Sequence, residues 1–148
     1  MEPTTDFSTI LSILLSFGMF LIVFPLFWIA VVYLVSLLSG WGRLAQYYQT
    51  TSPFNGQTYS WQSGYFNWAR YNGVLVTGGD RDYLYLAVSI LFRVGHPPLL
   101  IPWYDITTEE GNWYFMKMVV LQFNKVPNLK MRIPAKQAAR LLALRDEM

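Results

Sequence analysis

Ile10–Gly40 reads ILSILLSFGMFLIVFPLFWIAVVYLVSLLSG and contains no Asp, Glu, Lys, Arg or His. A single uncharged apolar run of this length has the signature of a membrane span. Wound as a helix at ~1.5 Å per residue it extends roughly 46 Å, against a bilayer hydrocarbon core of ~30 Å. It can cross with tilt, or with its ends in the headgroups. Residues 1–9 are then a short tail, and everything after Gly40 lies on the far side of the span.

Within the span, Pro25 lacks a backbone donor and its ring meets the carbonyl of Leu21, so a kink is expected near Leu21–Pro25. Ser12 and Ser16 share a face with Gly18 nearby, a spacing of small residues that lets a second helix come close. Phe17, Phe20, Phe24 and Phe27 form an aromatic stripe expected to face lipid, with a partner helix or a pigment as the alternatives. There is no His in the run, so the commonest protein ligand of a haem or chlorophyll metal is missing. No cofactor is expected.

The flanks orient the span. Glu2 and Asp6 precede it with no Lys or Arg, whereas all eleven basic residues follow it, against seven acidic ones. Arg43 sits three residues past Gly40. The positive-inside rule then places the N-terminus outside and the larger part in the cytoplasm. A cleaved signal peptide fits badly, because there is no basic segment ahead of an apolar run that is itself too long.

After the span the chain has room for one small domain. Residues 41–148 hold five of the six Trp and nine of the ten Tyr, more aromatic surface than a small core needs. With no cysteine, disulfide scaffolds, thiolate metal sites and cysteine nucleophiles are excluded. Trp41, Leu44, Ala45 and Tyr48 fall on one helical face. This juncture reads as an interfacial helix, with Trp41 at headgroup level and Arg43 near lipid phosphates. Together with the loop signals Ser52-Pro53 and Asn55-Gly56, it makes residues 41–58 a linker.

From Tyr59 the period changes to two. Tyr59–Tyr71 is expected as a strand broken at Gly64, or a strand pair. Gly73–Thr77 follows as a short strand closed by Gly78-Gly79-Asp80, and Asp82–Phe92 as the clearest strand. Leu99–Ile106 should lie at an edge or carry a bulge, since Pro102 has no donor. Thr107–Gly111 reads as a turn and Asn112–Phe123 as one long strand, with Trp113, Phe115 and Phe123 on its outer face. Asn128–Ile133 alternates cleanly. Pro134 opens a C-terminal amphipathic helix with Ala135, Ala138, Leu141 and Leu142 on its apolar side.

About six antiparallel strands followed by one helix resemble a pleckstrin-homology-like (PH-like, GRAM-type) domain over residues 59–148. The resemblance rests on Leu99-Leu100-Ile101-Pro102-Trp103-Tyr104-Asp105-Ile106 and on Leu129-Lys130-Met131-Arg132-Ile133-Pro134 with the helix after it. The juncture Gly40-Trp41 with Leu44-Ala45 is also similar to that of uncharacterised bacterial single-pass proteins. The family implies a bent sheet forming an open barrel, plugged at one end by the final helix. It does not carry over a phosphoinositide pocket, because only Arg70 lies near the first hairpin.

No catalytic set converges in the sequence. The one histidine, His96 in Gly-His-Pro-Pro, has no partner acid at a useful spacing and reads as a loop imidazole bonded to nearby backbone. Asp80 and Asp82 supply too few oxygens for a calcium loop, and Gly78-Gly79 lacks the residues that complete a phosphate loop. The chain is therefore expected not to be an enzyme. Lys125, Lys130, Arg132, Lys136 and Arg140 suggest a basic patch, which beside a membrane points to anionic lipid or an acidic partner rather than nucleic acid.

The expected role is an accessory subunit of an integral-membrane complex, the kind of single-span subunit that photosynthetic and respiratory assemblies carry. Its contacts with lipid and other subunits would run through Ser12, Ser16, Phe20, Phe24, Trp41, Arg43, Tyr83, Tyr85, Trp113, Phe115 and Phe123. The alternative is a membrane-tethered adaptor whose domain binds a peptide or anionic lipid. An exposed basic groove would favour that reading.

Overall fold

The computed structural model describes residues 6–147, in two compact units that divide between Val31 and Val32. Helix α1 (Phe7–Ser39) runs without a break through Pro25 and is long and apolar enough to cross a membrane. Of the expected tail, residues 1–5 lie outside the described residues, and the helix already begins at Phe7. In the first unit the apolar side chains, apart from the half-buried Trp28, are exposed. Phe20 stacks on Phe24 with ring centres 5.3 Å apart, and Phe24 on Trp28 at 6.3 Å. Ser12 donates its hydroxyl to the Thr9 carbonyl at 2.8 Å.

The second unit begins with the last two turns of α1, followed by α2 (Trp41–Tyr48). Seven strands come next: β1 (Gln57–Phe66), β2 (Ala69–Gly79), β3 (Tyr83–Val88), β4 (Leu99–Pro102), β5 (Ile106–Trp113), β6 (Met116–Phe123) and β7 (Val126–Pro134). Helix α3 (Ala135–Asp146) closes the chain. All strand pairs are antiparallel, in one sheet of order β4-β3-β2-β1-β7-β6-β5. Pro102 ends β4, an edge strand, where its missing donor costs little. Helix α3 packs on β2, β6 and β7 and buries Gln137, Ala138, Leu141 and Leu144.

Gly40 makes the corner between α1 and α2. Its φ of +93° is a left-handed conformation open to glycine, and a Cβ there would press on the side chains of Leu129 and Arg43. The corner turns Trp41, Leu44 and Tyr48 into the same core cluster as Phe66, Leu99, Leu129 and Met131.

Several expectations are corrected. Among the described residues there are seven strands, because Thr107–Gly111 belongs to β5 rather than to a turn. Asn112–Phe123 is not one strand. It reverses at Tyr114-Phe115, and β5 pairs with β6 from Ile106↔Phe123 to Trp113↔Met116. Phe123 is therefore a core residue, 1% exposed, and not part of an outer face with Trp113 and Phe115. The turn after β1 lies at Asn67-Trp68 rather than at Gly64, and the strand expected to run to Phe92 ends at Val88. Trp41 is fully buried, so it is no headgroup anchor: the apolar face of α2 is covered by the sheet. A hydrophobic face looks alike in sequence whether lipid or a core covers it.

Candidate functional site

Two aromatic clusters stand out in the second unit. The first is buried. The Trp41 ring centre lies 5.1 Å from Phe66, 5.9 Å from Tyr71 and 5.2 Å from His96. The polar atoms of this box form one directed chain. His96 Nδ1 lies 3.0 Å from the Val94 carbonyl, which can only accept, so Nδ1 carries the proton. Nε2 must then accept, and Tyr71 donates its hydroxyl to it at 2.8 Å. Ser39 Oγ in turn donates to the Tyr71 oxygen at 2.8 Å. Trp41 Nε1 donates to the Pro97 carbonyl at 3.0 Å.

Burial holds the His96 pKa below its ordinary value, so the ring stays neutral. Burial likewise pushes the Tyr71 hydroxyl up to about 12. At 1% exposure and with both nitrogens engaged, His96 is not placed to serve a substrate as a base. The expected backbone bond is present, while the Tyr71–Ser39 relay has no local signal in the sequence. The box joins the end of α1 to β2 and to the loop before β4.

The second cluster is exposed. β6 pairs with β7 only up to Met118↔Pro134, but its pairing with β5 continues to Met116↔Trp113. The end of the β5–β6 hairpin therefore overhangs the sheet. Its turn carries Tyr114, 85% exposed, and Phe115, fully exposed, with Met116 beside them. Tyr114 has φ +55°, a left-handed conformation that non-glycine residues adopt at a cost. Strain of this kind at an exposed aromatic turn directs attention to function. Trp113 is pinned at the base of the turn, with the Arg132 guanidinium 4.8 Å over its ring and Tyr65 at 6.4 Å.

Beside Trp113 opens a groove of about 760 Å³ lined by Tyr65, Asn67, Trp68, Trp113, Pro127, Asn128, Lys130 and Arg132. Asn67 shapes its floor. Its left-handed φ of +52° suits asparagine, its Oδ1 accepts from Lys130 N at 3.1 Å, and its carbonyl accepts from Arg132 at 3.2 Å. Pro127 and Asn128 also line a smaller hollow with Arg43, Gln46, Tyr47, Lys125 and Val126. The two hollows adjoin, and their linings hold four cations and no carboxylate.

The other residues singled out from sequence are dispersed. Ser12, Ser16, Phe20 and Phe24 lie exposed on α1. Tyr83 is 38% exposed, on a strand next to the sheet edge. Tyr85 is covered by Phe54, stacked on it at 4.6 Å with an interplanar angle of 2°. Lys130 and Arg132 share the groove, and Arg140 lies over the Tyr59 ring at 5.5 Å. Tyr65, Trp68 and Tyr114 were missed. Asn67 was the available signal for the turn that presents Trp68, whereas Trp113–Met116 holds no Gly, Pro or Asn to mark a reversal. Among the described residues, no group of three or more His, Cys, Asp or Glu is placed to hold a metal ion. Comparisons with protein-family models, curated proteins and solved structures return no match.

Proposed function

We propose that this chain is a non-catalytic accessory subunit of an integral-membrane complex, anchored by α1 and docked to another subunit through the overhanging β5–β6 turn. The observation that carries the reading is Phe115, fully exposed beside a strained Tyr114 at the end of that hairpin. A large apolar tip held out in water is costly unless a partner covers it. The N-terminus is read as outside and the β domain as cytoplasmic on the distribution of basic residues around the span, and the membrane as a bacterial inner membrane on the resemblance of the Gly40-Trp41 juncture to bacterial single-pass proteins. The domain is read as PH-like. Seven antiparallel strands in one open sheet, with a final helix packed on β2, β6 and β7, support that reading.

The test is gentle detergent extraction of the tagged native protein, followed by native mass and identification of co-purifying chains. A stoichiometric complex that Phe115→Ala dissociates is the expected result. A chain that runs alone as one well-behaved species removes the subunit reading.

A second reading has its own support. Arg43, Lys125, Lys130 and Arg132 line adjoining hollows that also present Trp68 and Trp113. Cations interleaved with aromatic faces suit an anionic headgroup or an acidic peptide, as an adaptor would bind. Loss of anionic-vesicle or acidic-peptide binding in Lys130→Glu, with an intact complex, would favour this reading.

A further inference from the structure

The loop between β3 and β4 carries three well-exposed apolar side chains in five residues: Ile90 at 77%, Leu91 at 71% and Val94 at 40%. Arg93, between them, is exposed as well. The loop is rigid. Phe92 N donates to the Ser89 carbonyl at 2.9 Å, Arg93 N to Ile90 at 3.3 Å and His96 N to Arg93 at 2.9 Å.

Its position follows from where it is fastened. Ser36 donates its hydroxyl to the Gly95 carbonyl. Gly95 has φ +70°, and a Cβ there would come within 2.9 Å of the Tyr33 ring and 3.2 Å of Ser36 Cβ. The Gly95 end of the loop thus sits against the last two turns of α1, at the level of Tyr33–Ser36. On another side of those same turns, Leu34, Leu37 and Leu38 are each 53% exposed. A bilayer centred on the apolar run places its hydrocarbon at roughly residues 15–35. Tyr33–Ser36 then falls at the boundary between hydrocarbon and headgroups.

We propose that Ile90–Val94 is a second membrane contact, in which Ile90, Leu91 and Val94 enter the bilayer boundary beside the end of α1 and Arg93 reaches the lipid phosphates. The inference rests on reading α1 as a span. The occupant is lipid because the loop is fastened, at Gly95, to the helix turns that already present leucines there. Backbone can enter such a layer only if its donors are satisfied, and the turn meets that condition for Phe92, Arg93 and His96. Arginine at the edge of an apolar patch suits it, since its stem lies on lipid while its head stays at the phosphates.

The chain has no cysteine, so a single introduced thiol labels one place. Full-length Ile90→Cys and Leu91→Cys, carrying an environment-sensitive fluorophore, would be reconstituted in phosphatidylcholine–phosphatidylglycerol vesicles containing doxyl-labelled lipid. Leu15→Cys in the span and Glu109→Cys on β5 serve as references. The expected result is a blue-shifted emission at positions 90 and 91, quenched several-fold more than at 109. Quenching at 15 but no more at 90 and 91 than at 109 overturns the loop contact while leaving the span intact, whether water or another protein covers the loop. Absence of quenching at 15 overturns the span, and the loop contact with it.

Discussion

The two aromatic clusters of the β domain are built from the same residue types and put to opposite use. In the box of Trp41, Phe66, Tyr71 and His96 all four side chains are buried and the hydrogen-bonding atoms are paired in sequence, from Ser39 through Tyr71 and His96 to the Val94 carbonyl. At the hairpin turn, Tyr114 and Phe115 are exposed and the backbone is strained. Removing atoms from the first region takes away interactions already made within the fold. Removing them from the second takes away little that the isolated fold uses, and its consequences belong to whatever the tip meets. Stability and association should therefore separate cleanly between the two.

The sharpest break is Trp41→Ala. It empties a fully buried site and removes the bond to Pro97, so a loss of about 3–5 kcal/mol is expected, read by denaturant unfolding in detergent. Next is acid. His96 is held neutral with a pKa below 6.5, so the unfolded chain binds a proton that the folded chain refuses. Stability should fall as pH drops below 6.5 towards the folded-state pKa, and His96→Gln should flatten that limb in melting temperature against pH. If wild type and variant titrate alike, the buried relay is not the acid-sensitive element.

Smaller effects are expected at the tip. Tyr114→Gly relieves the left-handed strain, and a gain of up to about 1 kcal/mol in unfolding free energy should accompany weaker partner retention. Phe115→Ala should leave stability within about 0.5 kcal/mol of wild type while abolishing co-purification of the partner. A large loss of stability in Phe115→Ala would erase the contrast between the two regions.

How far each cluster could be read from sequence differs for physical reasons. The pattern around Trp41 was visible as a helical face, but helical periodicity reports only that something apolar covers a face. Its cover comes from Phe66, Tyr71 and His96, far along the chain. The hairpin tip was hidden because Trp113-Tyr114-Phe115-Met116 continues an apolar run, and period alone does not mark a reversal in such a run. The strain at Tyr114 is the counterpart of that missing turn signal. Asn67 shows the opposite case, a residue suited to a left-handed turn placed where the chain makes one.

By itself the sequence determined the long apolar helix, the change to strand period after it and the closing helix, because each depends on contacts between near neighbours and on side-chain hydropathy. Only the tertiary structure decided which aromatics are core and which are surface. It set Trp41 inside, Phe123 behind the sheet and Phe115 at the end of an overhanging turn, and it set Gly95, at the end of the Ile90–Val94 loop, beside Tyr33 and Ser36. Those assignments depend on strand register and on pairs of residues tens of positions apart. The free energy of such pairings is summed over the whole sheet and is carried by no local stretch.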